Sequence, residues 1–249
     1  MEPVTGLKVW YKTWWGITII AAICLLAAVI LSLSALGYNY WRAIKSGHGD
    51  ILEQQMNQQA LNQIVESPEI QAARQELETD DDPFLGNQNA SFVIVEFIDF
   101  KCPICKGQYS EMQKLINKYG YKIKWIIRDF PMESVHPGTN RLAAVASCVN
   151  EQGAFWLAHD LFFSNQEMIG ENFSDTDVDV LINQFGLDKS RMSDCLQSRR
   201  GEIEVKKDYS IGVKYGIKKG TPTFFVNGNK IEGAMLFSTW ETLLKDFKL

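Results

Sequence analysis

From Gly16 to Leu36 the chain reads GITIIAAICLLAAVILSLSAL, a stretch without a single charge. As an α-helix rising about 1.5 Å per residue, a run of this length crosses a hydrocarbon core about 30 Å thick. Trp10, Tyr11, Trp14 and Trp15 precede it, and Tyr38, Tyr40 and Trp41 follow. Such amphipathic rings suit the two headgroup layers. Ala35-Leu36-Gly37 also offers a small-x-small cleavage site, so a removable signal peptide is the alternative. A double aromatic belt and the length favour an uncleaved signal-anchor over 16–37, behind a short N-terminal cytoplasmic segment, 1–15. Lys8 and Lys12 stand before the span and Arg42 and Lys45 after it, so charge barely sets the orientation. An extracytoplasmic C-terminal domain is expected from its chemistry, set out below. Cys24, inside the span, reads as a small apolar residue.

The next segment, 38–85, reads as a stalk or linker. Leu52, Met56, Ala60, Leu61 and Ile64 recur at helical spacing in a Gln- and Asn-rich setting, a seam that could pair with a second copy but lasts only about two heptads. Ser67-Pro68 interrupts it, a short helical pattern follows over Glu69–Glu78, and Asp80-Asp81-Asp82, Pro83 and Gly86 read as a break. With a net charge of -5 and no basic stripe, the chain does not resemble a nucleic-acid binder.

From Ser91 the pattern becomes that of an α/β domain, 86–249. Phe92-Val93-Ile94-Val95 continues through Phe97-Ile98 as a strand, a helix is predicted from Pro103 to Tyr119, and Ile123–Ile127 is a second strand. This spacing suits a parallel crossover. Five helical patterns then fill an insertion over about 139–216: Arg141–Asn150, Ala154–Phe163, Asp177–Phe185, Lys189–Ser198 and Glu202–Tyr215. Thr223–Val226 and Lys230–Glu232 flank Asn227-Gly228-Asn229, a hairpin signal, and a last helix is predicted from Ser238 to Phe247.

Cys102-Pro103-Ile104-Cys105 follows a strand directly and opens a helix. Half of a zinc site is the rival reading of a CxxC, but Cys148 and Cys195 are isolated and His48, His136 and His159 have no partnered spacing, so no metal is expected. At a helix N-terminus unsatisfied N–H groups and the helix dipole favour a thiolate at Cys102. Pro103 suits the first helical position because an N–H would go unused there. A lowered pKa makes Cys102 both nucleophile and leaving group, with Cys105, one turn on, as the resolving thiol.

The segment Val95–Cys105 resembles the DsbA-like branch of the thioredoxin superfamily, and its membrane-anchored bacterial members in particular. Arg128-Asp129-Phe130-Pro131, Gly153-Ala154-Phe155-Trp156 with His159-Asp160, and Gly220-Thr221-Pro222-Thr223-Phe224 are similar to it too. The resemblance implies a thioredoxin fold with a helical insertion, needing no cofactor beyond its own sulfurs. It implies a cis Pro222 facing the disulfide, with the backbone of Thr221 binding extended substrate; an ordinary strand-opening proline is the alternative. It also implies that Glu96 is a buried acid with a raised pKa, able to relay the proton of Cys105, where a solvated edge carboxylate is the bland alternative. Ile104 replaces the His of the strongest oxidants, so a less depressed Cys102 pKa is expected. Cys148 and Cys195 are candidates for a structural disulfide, as some members carry one in the helical region, against two independent buried thiols. His136 and His159 read as structural.

The activity so implied is thiol-disulfide exchange on reduced, exported polypeptides, most simply net oxidation, with a membrane reoxidase of DsbB or VKOR type as partner. An isomerase or reductase of the same fold, working as a homodimer through the stalk, and a membrane-tethered chaperone are the alternatives.

Overall fold

The computed structural model describes residues 14–45, 67–170 and 172–247. The chain divides into two units, one ending at Ile64 and one beginning at Val65. The first unit's described residues form one helix, α1 (Trp14–Lys45), within which Ile17–Tyr38 has a mean hydropathy of 2.8 and is long and apolar enough to cross a membrane. Ile23, Leu25, Leu26, Ile30 and Leu33 all stand exposed on it. That apolar surface is costly in water and has its natural cover in lipid. The helix continues to Lys45, past the expected end of the span. The side chain of Cys24 and residues 46–66, with the expected pairing seam, lie outside the described residues.

The second unit is built on a five-stranded sheet in the order β1-β3-β2-β4-β5. The strands are β1 (Phe84–Gly86), β2 (Phe92–Ile98), β3 (Ile123–Asp129), β4 (Thr223–Val226) and β5 (Asn229–Glu232). Only β2 and β3 run parallel, joined by helix α3 (Pro103–Tyr119) as the crossover that the sequence predicts. β4 pairs antiparallel with β2, from Ile94↔Val226 to Phe97↔Thr223. All seven residues of β2 are buried because both faces of the sheet are covered. Phe92, Ile94 and Ile98 face the larger core with Met112, Leu115 and Trp240, while Val93, Val95 and Phe97 face a smaller one.

That smaller core corrects the expected domain boundary. Residues 68–85, read as stalk, are part of the domain. Helix α2 (Pro68–Leu77) starts where Ser67 Oγ accepts the Ile70 N–H at 3.3 Å and Pro68 fills the first turn, so Ser-Pro is a start signal for this helix. Ala73 and Leu77 bury against Val93, Val95, Phe97 and Ile126. The acidic run is not a solvated break either. Arg128, fully buried, pairs with Asp82 at 2.5 Å and Asp208 at 2.7 Å, and donates to the Leu77 and Glu76 carbonyls and to Thr79 Oγ1. A buried guanidinium is tolerated only with its donors so engaged. Burial raises both Asp208 and Asp82 above the ordinary carboxylate range, against the pull of Arg128.

Between β3 and β4 lie five helices, α4 (Thr139–Asn150), α5 (Phe155–Ser164), α6 (Asp175–Phe185), α7 (Lys189–Gln197) and α8 (Arg200–Lys214), close to the five predicted. Cys148 on α4 and Cys195 on α7 form a disulfide with Cα atoms 5.7 Å apart. α8 crosses α4 at Gly201, where a Cβ would lie 2.2 Å from the Ala144 carbonyl oxygen and 3.0 Å from Cys148 Sγ. Helix α9 (Phe237–Asp246) follows β5, its Trp240 packed edge-on against Phe224.

Candidate active site

β2 delivers the chain to the site and α3 begins it. Cys102 is the N-cap of α3 with extended backbone, and Pro103 occupies the first turn. The turn before it is closed by Asp99, whose carbonyl oxygen accepts the Cys102 N–H at 3.0 Å. Phe100 within that turn is buried among Phe155, Phe162 and Phe163 of α5. Burying such a ring contributes roughly 2–3 kcal/mol, so the insertion anchors the approach to the cysteines. Gln166, just beyond α5, donates from Nε2 to the carbonyl oxygens of Phe100 and Cys102, each at 2.9 Å.

Cys102 and Cys105 are free thiols here, 4% and 1% exposed. They are electrostatically unequal. A hydrogen bond from the Cys105 thiol, helped by the backbone N–H groups of Cys105 and Ile104, brings Cys102 down to about 6 against the cost of burial. Cys105 is pushed well above the ordinary thiol range by burial first and by its neighbour Cys102 second. The first sulfur is therefore the more acidic of the two and the second holds its proton more firmly. Ile104 is 55% exposed and supplies neither charge nor side-chain donor.

The Thr221–Pro222 peptide bond is cis. The Thr221 carbonyl oxygen lies 3.4 Å from Cys102 Sγ, within reach of its thiol hydrogen. The two segments therefore face each other across 119 residues of sequence, as the resemblance implies. Glu96 is buried in β2 on the same face as Ile94 and Ile98, and burial raises it to about 8, opposed by the Trp125 indole N–H that it accepts at 2.9 Å. The partner the structure gives it is Trp125, which the sequence did not indicate.

Two further features went unread in the sequence. Asp99, buried, accepts the Met132 and Lys101 N–H groups and the Thr139 hydroxyl, and its Oδ2 faces His136 Nδ1 at 2.8 Å. Aspartate two residues before a turn N–H is the one signal that could have marked it. Gln166 carries no such signal. His159 sits in the aromatic cluster of Phe155, Trp156, Phe163 and Trp125, its pKa lowered by burial, in keeping with a structural role. Oxygens of Asp82, Glu204 and Asp208 come within 4.8 Å of one another, but Arg128 and Lys207 already neutralise them.

Residues 78–246 match the family profile described as thioredoxin. Over 158 residues the chain is 32% identical to a Na(+)/H(+) antiporter NhaA 1 of Salinispora arenicola, an alignment covering 64% of this chain and 23% of that protein. The chain thus spans about a quarter of the length of the curated relatives it matches. Among solved structures it resembles a thioredoxin-like oxidoreductase from Silicibacter pomeroyi, with a TM-score of 0.60, 22% identity, and 70% and 97% of the two chains covered. It likewise resembles the thiol-disulfide exchange protein alpha-DsbA2 from Wolbachia pipientis, with a TM-score of 0.55, 20% identity, and 74% and 100% covered. These likenesses establish the shared fold.

Proposed function

Given that this chain belongs to the thioredoxin family, we propose that it is a membrane-anchored thiol-disulfide oxidoreductase that introduces disulfides into reduced, exported polypeptides. The observation that carries this reading is the inequality of the two sulfurs, Cys102 held near 6 and Cys105 far above it. In the oxidised state, a client thiolate attacks Cys102 Sγ. The Cys102–Cys105 bond breaks, a mixed disulfide forms, and Cys105 leaves and takes up a proton. A second client thiolate then attacks the client sulfur, forming the client disulfide and releasing Cys102 as a thiolate. The client loses two electrons to the pair, and of its two thiol protons one ends on Cys105 and the other goes to solvent.

Turnover requires a disulfide-donating membrane partner of DsbB or VKOR type to take those electrons. The Thr221 backbone offers a sequence-tolerant edge for an extended client strand. Glu96 serves as the proton relay for Cys105. An α1 that crosses the membrane with its N-terminus in the cytoplasm places the sulfurs in the compartment where clients need them.

Refolding of reduced RNase by the oxidised full chain tests the reading, with Cys102→Ser as control. Recovery of activity by the wild type and not by the variant is expected. A variant as active as the wild type would overturn it. Efficient insulin reduction combined with no gain over air oxidation in the RNase assay would instead favour the reductase alternative. Mixed disulfides trapped by Cys105→Ala in cells would identify the clients and the partner.

A further inference from the structure

Asp99 is tied to both halves of the site, and the exchange chemistry above leaves it without a role. We propose that Asp99 is a positioning residue that keeps the Cys102 turn and the Thr221 edge in register, so that polypeptide thiols are served in preference to small ones. The proposal rests on the disulfide-exchange reading and deepens it.

Asp99 is 1% exposed and immediately follows β2. Its main chain holds the cysteine turn, its carbonyl oxygen accepting the Cys102 N–H at 3.0 Å. Its side chain reaches two ways. Oδ1 accepts the Lys101 N–H at 2.8 Å, fastening its own turn, and the Thr139 hydroxyl at 2.6 Å. Oδ2 accepts the Met132 N–H at 2.8 Å and faces His136 Nδ1 at the same distance. The carboxylate therefore joins the turn before Cys102 to the loop after β3.

Met132 carries the connection onward. Its Sδ lies 2.6 Å from where a Cβ of Gly220 would stand, so the sulfur occupies the space that any side chain at 220 would need. Gly220 has a φ of +99° and directly precedes Thr221, while its carbonyl oxygen is held by the Thr223 hydroxyl at 2.7 Å. Thr221 in turn faces Cys102 Sγ. The contacts close a ring: Cys102, its turn, Asp99, Met132, Gly220, Thr221 and back to the sulfur. A carboxylate can hold both sides because each of its oxygens accepts two donors. An amide has one oxygen, and its NH2 would face a backbone N–H on whichever side it was turned to.

Glutathione needs only the sulfur, whereas a polypeptide also needs the Thr221 edge. A residue that merely stabilised the fold would affect both alike. The test is to pre-oxidise the full chain in detergent and measure rates of oxidation of reduced RNase and of glutathione by the wild type and Asp99→Asn. The RNase rate is expected to fall about tenfold, with the glutathione rate within about twofold. Equal falls, or no fall, would overturn the role of Asp99. Should Asp99→Asn not fold, Met132→Ala leaves the carboxylate and its donors intact and removes the contact to Gly220 together with the side chain's packing on the smaller core, a loss of packing that would slow both substrates alike. A selective loss of about threefold in the RNase rate is expected of it, and an unchanged ratio would overturn the proposal. A wild type that oxidises neither substrate would remove the exchange reading itself, which is a different result.

Discussion

The domain holds two pairs of cysteines, and they differ in every respect except burial. Cys102 and Cys105 are one helical turn apart, free, at the start of α3. Cys148 and Cys195 are 47 residues apart and bonded between α4 and α7. All four sulfurs belong to residues under 5% exposed, so access alone does not separate a reactive pair from an inert one. Polar surroundings do. Cys102 has a thiol and backbone N–H groups aimed at it and a carbonyl edge opposite. The other bridge is enclosed by apolar side chains and by the backbone at Gly201. On the proposed function the first pair exchanges, while the second joins two helices.

The largest expected contrast follows directly. Cys102→Ser should reduce exchange to background while leaving the melting curve close to wild type below pH about 6, where Cys102 carries its proton. Cys148→Ala/Cys195→Ala should do the reverse, keeping the exchange rate but losing about 4 kcal/mol of stability for a loop of this length. Urea denaturation of both, beside an exchange assay, would show whether the division of labour holds. Loss of exchange in a folded Cys148→Ala/Cys195→Ala protein would abolish it.

Glu96 gives the next effect. Its folded pKa of about 8 lies above the ordinary 4.5. The folded state therefore keeps a proton that the unfolded chain releases, and stability falls as pH rises from about 4.5 to 8. Glu96→Gln keeps an acceptor for Trp125 and removes the titration. It should be more stable than wild type by a few kcal/mol at pH 8 and nearly equal at pH 4. Parallel denaturation curves across that range would contradict the assignment, and an unchanged pH profile of exchange would dismiss the relay.

For Cys102 the sign is opposite. Its pKa lies below the ordinary 9.0, at about 6. The reduced protein gains stability relative to Cys102→Ala that is complete above pH 9 and lost as pH falls through about 6. Thiolate absorbance near 240 nm should titrate at that lower value. The smallest expected change is Ile104→His, which adds a donor beside the sulfur. A further fall of about one unit, and a couple more oxidising by about 30 mV, would be read by the same titration and by equilibration with glutathione.

Much of this was legible in the sequence because its signals are local. The β2–α3–β3 unit, the five insertion helices and the Asn227-Gly228 hairpin each carry their own periodicity or turn residues. The N-terminal edge of the domain does not. α2 shows only Ile70, Ala73 and Leu77 as its apolar face, β1 is three residues long, and Asp82 looks like part of a solvated acidic run until Arg128 is brought to it by the fold. Asp99 was unreadable for a related reason, since its side-chain partners are chiefly donors 33 to 40 residues away, one of them a backbone N–H. Tertiary hydrogen bonds to main-chain groups leave no compositional trace.

The separation between Cys102 and Thr221 also has a consequence in time. At roughly 5–20 residues per second, the 119 residues between them take about 6 to 24 seconds to synthesise. β4, which lies beside β2 in the finished sheet, emerges later still. A nascent chain thus carries its sulfurs well before the surface that would present a client to them. On the proposed function, the capacity to work on other proteins is acquired only after β4 has joined β2 in the chain's own sheet.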